Sequence, residues 1–283
     1  MILVTGATGT VGSEVVKQLK AAGADFKIAV TSLTKAKKAN AEGLKAAVLD
    51  YTDPQSFHYT LQGIDKLFLL SPPGATQLEA GLIEAAKDSA VKHVVKLSVI
   101  GAESDGFIFG REHRKMEKLL EHSGIAYTFV RPNGFMQNYL SNFRQSIKLQ
   151  GAFYLAQADS KYSMVDVRDI ASVVIKALTE SGHEKKAYTV TGAEALSNAQ
   201  VAEKISKVAG KKVEYVAVSD DDMRTALQQQ GTPPAIVEGL IDLMHFYING
   251  KAAEVSPDVE RVLGRKPISF DQFAKDNEAA FRA

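Results

Sequence analysis

The 283-residue chain reads as an α/β protein: a doubly wound parallel sheet with a smaller, mixed C-terminal region. Three observations predict this. Met1-Ile-Leu-Val-Thr-Gly-Ala-Thr-Gly-Thr-Val-Gly12 carries an apolar strand into a glycine-spaced turn, and Val11, Val15, Val16 and Leu19 then mark one face of a helix. Strand and helix patterns alternate regularly as far as Arg131. Lys66-Leu-Phe-Leu-Leu70 is a near-continuous apolar run, as expected of a strand buried on both faces.

Each glycine of the first turn has a separate use. Gly6 lets the chain leave the strand sharply, Gly9 lets backbone approach a pyrophosphate, and Gly12 lets the helix pack closely on the strand. The free N–H groups and dipole of the first helical turn favour an anion, which makes Thr8, Thr10 and Val11 candidate contacts as well. The same spacing, Gly-x-x-Gly-x-x-Gly, also suits an ordinary tight turn. Its place between strand and helix is what points to a dinucleotide.

Composition narrows the alternatives. Hydrophobic residues make up 45% and charged residues 24%, the balance of an ordinary globular chain. A formal net charge of +1 gives no global field for nucleic acid or an anionic membrane. The densest basic run, Lys35-Ala-Lys37-Lys38, is too short for a nucleic-acid patch. The absence of cysteine excludes disulfides, thiolate metal sites and cysteine nucleophiles. The first strand begins at Ile2 and no apolar run reaches membrane-span length, so a cytoplasmic location is the expectation.

Taken in order, Ala22-Gly-Ala-Asp25 breaks the first helix, and residues 26–31 form the second strand. An acid after that strand would bind the ribose hydroxyls of NAD and repel a 2′-phosphate. Thr31, Ser32 and Lys35 stand there instead, which favours NADP and leaves NAD possible. Residues 45–49 make a short third strand, and Thr52-Asp-Pro54 starts the next helix with proline at its first position. Asp50, with Tyr51 beside it, is placed either to meet an adenine amino group or simply to turn the chain.

The fourth strand ends at Leu70, and Ser71-Pro-Pro-Gly74 follows at its carboxyl end, where ligands of such sheets bind. Leu70, Ser71 and Pro72 are therefore cofactor candidates. A helix over 76–89, a strand over 93–98, a helix over 111–122 and a strand over 126–131 complete the alternation. Beyond it the pattern predicts a helix over 138–148, a short strand at 153–155, a helix over 170–178 and a last sheet strand at 187–191. Small helices around a strand at 213–218 follow. The expected division is 1–150, with strand 187–191 added to its sheet, and 151–283 as the substrate region.

With these motifs in place the chain resembles the NmrA-like branch of the atypical short-chain dehydrogenase/reductases, a group that includes triphenylmethane-dye reductases and NAD(P)H:quinone oxidoreductases. The resemblance rests on Val4-Thr-Gly-Ala-Thr-Gly-Thr-Val-Gly12, Asp50-x-x-Asp53-x-x-Ser56, Gly63-Ile-Asp65 and Val91-Lys-His-Val-Val95. His113-x-x-x-Glu117, Thr128-Phe-Val-Arg-Pro132, Phe135-Met136 and Val165-Asp-Val-Arg-Asp169 extend it along the chain. It implies a Rossmann domain and hydride transfer from NADPH to a flat conjugated acceptor. Two departures matter. The Tyr-x-x-x-Lys of the wider superfamily is replaced by His113-x-x-x-Glu117, as is usual in this branch, and Thr31 stands where the branch commonly has arginine.

His113 and Glu117 share a helix face, a spacing that equally suits a plain surface ion pair. His113, Met116 and Leu120 form its apolar stripe, which turns the histidine toward the sheet as a site-lining residue. Ser98 ends the fifth strand, ready for a nicotinamide amide, a substrate oxygen or a strand cap. These three are the catalytic candidates. Phe107, Phe109, Phe135, Tyr139, Phe143, Phe246 and Tyr247 could wall a flat apolar cleft, although such residues also build cores. Six scattered histidines without a ligating spacing argue against a metal, and Gly-x-Ser-x-Gly and P-loop endings are absent.

Two readings follow: an NADPH-dependent reductase of quinones or of triarylmethane and azo-type dyes, and a non-catalytic NADP(H) redox sensor acting through a protein partner. The expected ligand is a small aromatic or quinone-like acceptor, with no nucleic acid or membrane partner, on a monomer or homodimer.

Overall fold

The computed structural model describes residues 1–72 and 74–282. Strand β1 (Ile2–Val4) runs into the glycine turn and α1 (Thr10–Ala21) leaves it. The alternation continues through β2 (Phe26–Val30), α2 (Leu33–Ala41), β3 (Ala46–Val48), α3 (Pro54–Leu61) and β4 (Lys66–Leu69). It then passes through α4 (Glu79–Lys87), β5 (His93–Leu97), α5 (Ile108–His122) and β6 (Ala126–Pro132). Next come α6 (Asn138–Ser141), α7 (Arg144–Gln150), β7 (Ala152–Leu155), β8 (Lys161–Tyr162), α8 (Val167–Thr179) and β9 (Lys186–Val190). The last part holds β10 (Leu196–Ser197), α9 (Asn198–Ala209), β11 (Glu214–Ala217), α10 (Asp220–Gln229), α11 (Pro234–Ile248), α12 (Asp258–Leu263), α13 (Phe270–Asp276) and α14 (Glu278–Phe281).

The main sheet has the order β3-β2-β1-β4-β5-β6-β9. Strand β1 pairs in parallel on both sides, with Ile2 opposite Phe26 and Lys66. The winding reverses between β1 and β4, and the crevice at such a reversal is where doubly wound sheets bind ligands. There are two further two-stranded sheets among the described residues: β11 pairs in parallel with β7, and β10 antiparallel with β8.

Local chemistry accounts for most element starts. Pro54 opens α3, and the Asp53 side chain accepts from Gln55 N. Ser197 with Gln200 and Ser219 with Asp222 form capping boxes at α9 and α10. Long-range packing moves some boundaries. The helix expected over 76–89 begins as a 3-10 turn at Thr76–Leu78 before α4. The helix expected over 138–148 is divided into α6 and α7, with Phe143 as the N-cap of α7 and its ring near Tyr139 and Phe153 at centroid distances of 5.8 and 5.7 Å.

The chain forms two compact units. The first comprises Met1–Val99, Glu112–Arg131 and Ile170–Tyr188; the second comprises Ile100–Arg111, Pro132–Asp169 and Thr189–Ala283. The division is therefore not one cut at residue 150, because the chain crosses between the units several times. In the first unit, Leu3, Phe57, Leu61, Ile64, Leu67, Leu82, Val94, Leu120 and Phe129 form one core. Helix α8 returns to this unit, where Lys66 Nζ donates to Leu178 O at 2.6 Å and Ser172 Oγ to Gln18 Oε1 at 3.0 Å. The second unit centres on aromatic rings, with Tyr139 edge-on to Phe153 and Phe270 at 5.2 and 5.5 Å. No helix among the described residues is long and apolar enough to cross a membrane.

Candidate active site

Thr5 sets the crevice at the sheet reversal. Its Oγ1 donates to Leu70 O at 2.8 Å and accepts from Leu70 N at 2.7 Å, stitching the exits of β1 and β4 together. Gly6 has φ +59°, and a Cβ there would lie 2.7 Å from Leu70 Cγ. A Cβ on Gly12 would lie 2.1 Å from Gly6 O, so the helix can approach the turn only as glycine. Gly9 is different. Its φ of −82° suits any residue, and a Cβ would meet only Gly6 O, at 3.4 Å. The fold itself does not require glycine at position 9.

The start of α1 fits an anion. Gly9 is its N-cap, no side chain caps it, and its first turn carries no acid. Helices α2, α3, α9, α10 and α13 are capped by Ser32, Asp53, Ser197, Ser219 and Ser269. Thr8, Gly9 and Thr10 are exposed, whereas Val11 turns its side chain into the core and can offer only its N–H. A cradle of N–H groups open to solvent, over a glycine that the fold does not need, fits the pyrophosphate of a dinucleotide.

At the end of β2, Lys35 Nζ donates to Thr31 Oγ1 at 3.2 Å, and Ser32 Oγ caps α2 through Lys35 N at 3.3 Å. One ammonium and two hydroxyls thus share this corner, a donor set suited to a phosphate. The Asp50 Oδ1 accepts from Thr52 N and Oγ1 at 2.9 and 2.7 Å, which holds its carboxyl below the usual range. Tyr51 packs edge-on to Phe57; burial, aided by the charge of Glu79, pushes its hydroxyl up to about 12. Leu70 is half-buried and Pro72 exposed, while Pro73 of the Ser71-Pro-Pro-Gly74 run lies outside the described residues. Ser71 turns inward, donating to Glu79 Oε1 at 2.8 Å.

Strand β5 carries a charge that its apolar pattern does not suggest. Lys96 is fully buried, ion-paired with the equally buried Glu79, and 3.3 Å from Nδ1 of His113. Burial and the Lys96 charge hold the His113 pKa well below the ordinary histidine value, so the ring is neutral at physiological pH. Ser98 Oγ donates to Glu117 Oε1 at 2.7 Å. Arg131 grips the same carboxylate with two bonds of 2.9 and 2.8 Å, and Arg114 adds one of 3.1 Å. Burial pushes the Glu117 carboxyl up, but the two guanidiniums and Ser98 outweigh it, and it stays ionised below its usual value. Both its oxygens are occupied. Ser98 has committed its proton and is left to accept a hydrogen bond from a ligand.

The aromatic residues divide. Phe107 is fully buried and packs against Phe246 at 4.6 Å, so this pair serves as core of the second unit rather than as an open wall. Phe246 also edges a 340 Å³ pocket. Phe109 covers Gly239, where a Cβ would come within 2.4 Å of the ring. Phe135 is half-buried and bridges Val165 through its backbone. Tyr139, Phe143 and Tyr247 do line a cavity, of about 810 Å³, with Tyr162, Met223 and Met244. Tyr162 and Tyr247 stack there at 4.8 Å, and Tyr139 OH donates to Asn198 Oδ1 at 2.7 Å. Its size and flat aromatic lining suit a planar ligand.

Sequence reasoning missed Thr5, Glu79, Lys96 and Arg131. Lys96 alone gave a signal: a cation inside a strand buried on both faces needs a partner.

The fold recurs in known proteins. The chain is 41% identical over 286 aligned residues, with both chains fully covered, to an NAD(P)H azoreductase of Xenophilus azovorans. Among solved structures it superposes on the NADPH-dependent quinone oxidoreductase of Escherichia coli in complex with NADPH (TM-score 0.87, 29% identity, 98% of this chain and 99% of that one). It likewise superposes on the Citrobacter sp. triphenylmethane reductase complexed with NADP(H) (TM-score 0.85, 26% identity, 97% and 99%). The model of the NmrA-like family matches residues 1–274, and with the sheet order, the glycine turn and these relatives in hand, the chain belongs to that family.

Proposed function

We propose that this protein is an NADPH-dependent oxidoreductase whose acceptor is a flat, conjugated molecule: a quinone, or a triarylmethane or azo-type dye. The observation that carries the acceptor class is the state of His113 and Glu117, the pair standing in place of Tyr-x-x-x-Lys. His113 is neutral beside the Lys96 ammonium, and Glu117 is a fully bonded carboxylate. Neither is a proton donor fit for a strongly basic alkoxide. The aromatic cavity of the second unit is of a size to admit planar rings.

Gly6, Thr8, Gly9, Thr10, Val11 and Gly12 hold the pyrophosphate through backbone N–H groups. Thr31, Ser32 and Lys35 take the 2′-phosphate, Asp50 and Tyr51 flank the adenine, and Leu70, Pro72 and Ser98 hold the nicotinamide, with Ser71 offering only its backbone because its hydroxyl is bonded to Glu79. When bound, NADPH supplies the hydride. Ser98, oriented by Glu117, accepts a hydrogen bond and fixes its partner in one pose; Glu117 positions rather than transfers protons. His113 offers a neutral hydrogen-bond donor. Reduction of a quinone leaves a phenolate-type anion, whose conjugate acid has a pKa of about 10, a cationic dye becomes neutral without any proton, and an azo nitrogen that has received hydride takes its proton from solvent water. Holding donor and acceptor together then accounts for most of the acceleration.

Steady NADPH consumption on adding a quinone, with no flavin or metal supplied, is the direct test of this reading. The cofactor choice has its own. A charge-assisted contact from Lys35 to the 2′-phosphate is worth roughly 1.5–3 kcal/mol, on the order of tenfold to a hundredfold in affinity. Fluorescence titration is therefore expected to favour NADPH over NADH, with Lys35→Ala narrowing the gap. Equal wild-type affinities would remove Thr31, Ser32 and Lys35 from the site.

A further inference from the structure

We propose that the buried Lys96–Glu79 pair is a positioning device that locks His113 as the neutral imidazole carrying its proton on Nε2. The ring then presents a fixed hydrogen-bond donor rather than an acid. The use of that donor on an acceptor rests on the oxidoreductase reading above; the lock itself rests on geometry.

An ammonium has three N–H donors and no acceptor. Lys96 Nζ has three acceptors in reach: Glu79 Oε2, Leu97 O at 3.2 Å and His113 Nδ1 at 3.3 Å. The other oxygen of Glu79 accepts from Ser71 Oγ at 2.8 Å, which keeps the carboxylate from rotating off the lysine. Both charged side chains of the pair are fully buried. Because lysine only donates, Nδ1 of His113 must accept, and in a neutral ring the proton stands on Nε2. A proton on Nδ1 would aim an N–H at a cation and leave one lysine donor without a partner.

The surroundings support a single state. Lys96 faces the ring from β5, with Glu79 of α4 behind it. On α5 itself, Glu117 is neutralised by Arg131 from β6 and by Arg114. Burial and the Lys96 charge both oppose protonation of the ring. A plain core ion pair would not need a third, titratable acceptor. This one is spent on the single histidine that takes the place of the missing Tyr-x-x-x-Lys tyrosine.

The test is long-range 1H–15N spectroscopy of the full chain labelled in histidine, with His113→Gln assigning the ring. In the wild type, His113 is expected as the Nε2–H tautomer, without titrating between roughly pH 5 and 8. In the double variant Lys96→Met/Glu79→Gln no buried charge is left alone. There the ring is expected to show both tautomers and to take up a proton at higher pH than in the wild type, while burial still holds it below the ordinary histidine value. Quinone turnover by that variant falls about tenfold at neutral pH, the scale of one oriented hydrogen bond, and gains a pH limb absent from the wild type. A wild-type His113 that titrates in this range, or carries its proton on Nδ1, overturns the proposal, and this outcome needs no variant to fold. A double variant with wild-type tautomer and pH profile also overturns it. If the wild type shows the lock but turns over no acceptor, the lock stands and the oxidoreductase reading fails.

Discussion

Gly9→Val is expected to abolish NADPH binding while leaving the fold and its melting temperature nearly unchanged. The two halves of this result have separate causes. The backbone at Gly9 is in a region open to any residue, and a Cβ there touches only Gly6 O at 3.4 Å, an ordinary contact. Nothing in the fold resists a Cβ at this position. What it fills is the space over the uncapped start of α1, where N–H groups must reach the pyrophosphate unobstructed. Gly12→Ala provides the contrast. Its Cβ would sit 2.1 Å from the Gly6 carbonyl oxygen, a backbone atom that cannot swing aside, so it should unfold or reshape the turn. Thermal unfolding and fluorescence titration on the two variants separate fold from ligand. Full-affinity binding by a folded Gly9→Val protein would place the dinucleotide elsewhere.

The second large effect is on stability. Lys96→Met removes one member of an ion pair whose side chains are both fully buried, and leaves Glu79 with only Ser71 as a partner. Breaking such a pair costs about 3–5 kcal/mol, because a buried charge is left uncompensated. At roughly 2–4 °C per kcal/mol for a large domain, the melting temperature should fall on the order of 10 °C. Adding Glu79→Gln is expected to recover most of the loss, since replacing both charges is far less costly than replacing one. Scanning calorimetry of the wild type, single and double variants tests this. A single variant as stable as the wild type would show that the pair is solvated in solution.

Sequence made the front of the sheet legible because its signals are local. The turn from Gly6 to Gly12, the proline start of α3 and the apolar run of β4 each lie within one element and its cap. The boundary between the units was not legible, because residues 100–111 join the second unit through contacts distant in sequence, such as Phe107 with Phe246 and Ile108 N donating to Asp242 Oδ2 at 2.6 Å. Those two rings fit only because Gly101 is small: a Cβ there would be 2.6 Å from Phe246. Phe107, expected as part of a wall, thus became core through a contact far apart in sequence. Lys96 was visible as an oddity in an apolar strand, but its partner lies 17 residues away on another element. Glu117 illustrates the same limit. Its spacing from His113 is local, whereas the arginine that grips it with two bonds comes from β6.

The central claim is that the site serves acceptors needing no strong enzymatic acid. The measurement that tests it most directly is kcat/KM with NADPH for a quinone, a cationic triarylmethane dye and a simple aliphatic ketone, in the wild type and in His113→Ala. The expected result is turnover of quinone and dye but not ketone. His113→Ala should slow the quinone by less than the roughly 10²–10⁴-fold typical of losing a general acid, and the dye by less still. Efficient ketone reduction, or complete loss of dye reduction in a folded His113→Ala protein, would contradict the mechanism. Tight NADPH binding with no oxidation by any acceptor in a broad screen would instead identify a non-catalytic NADP(H) sensor.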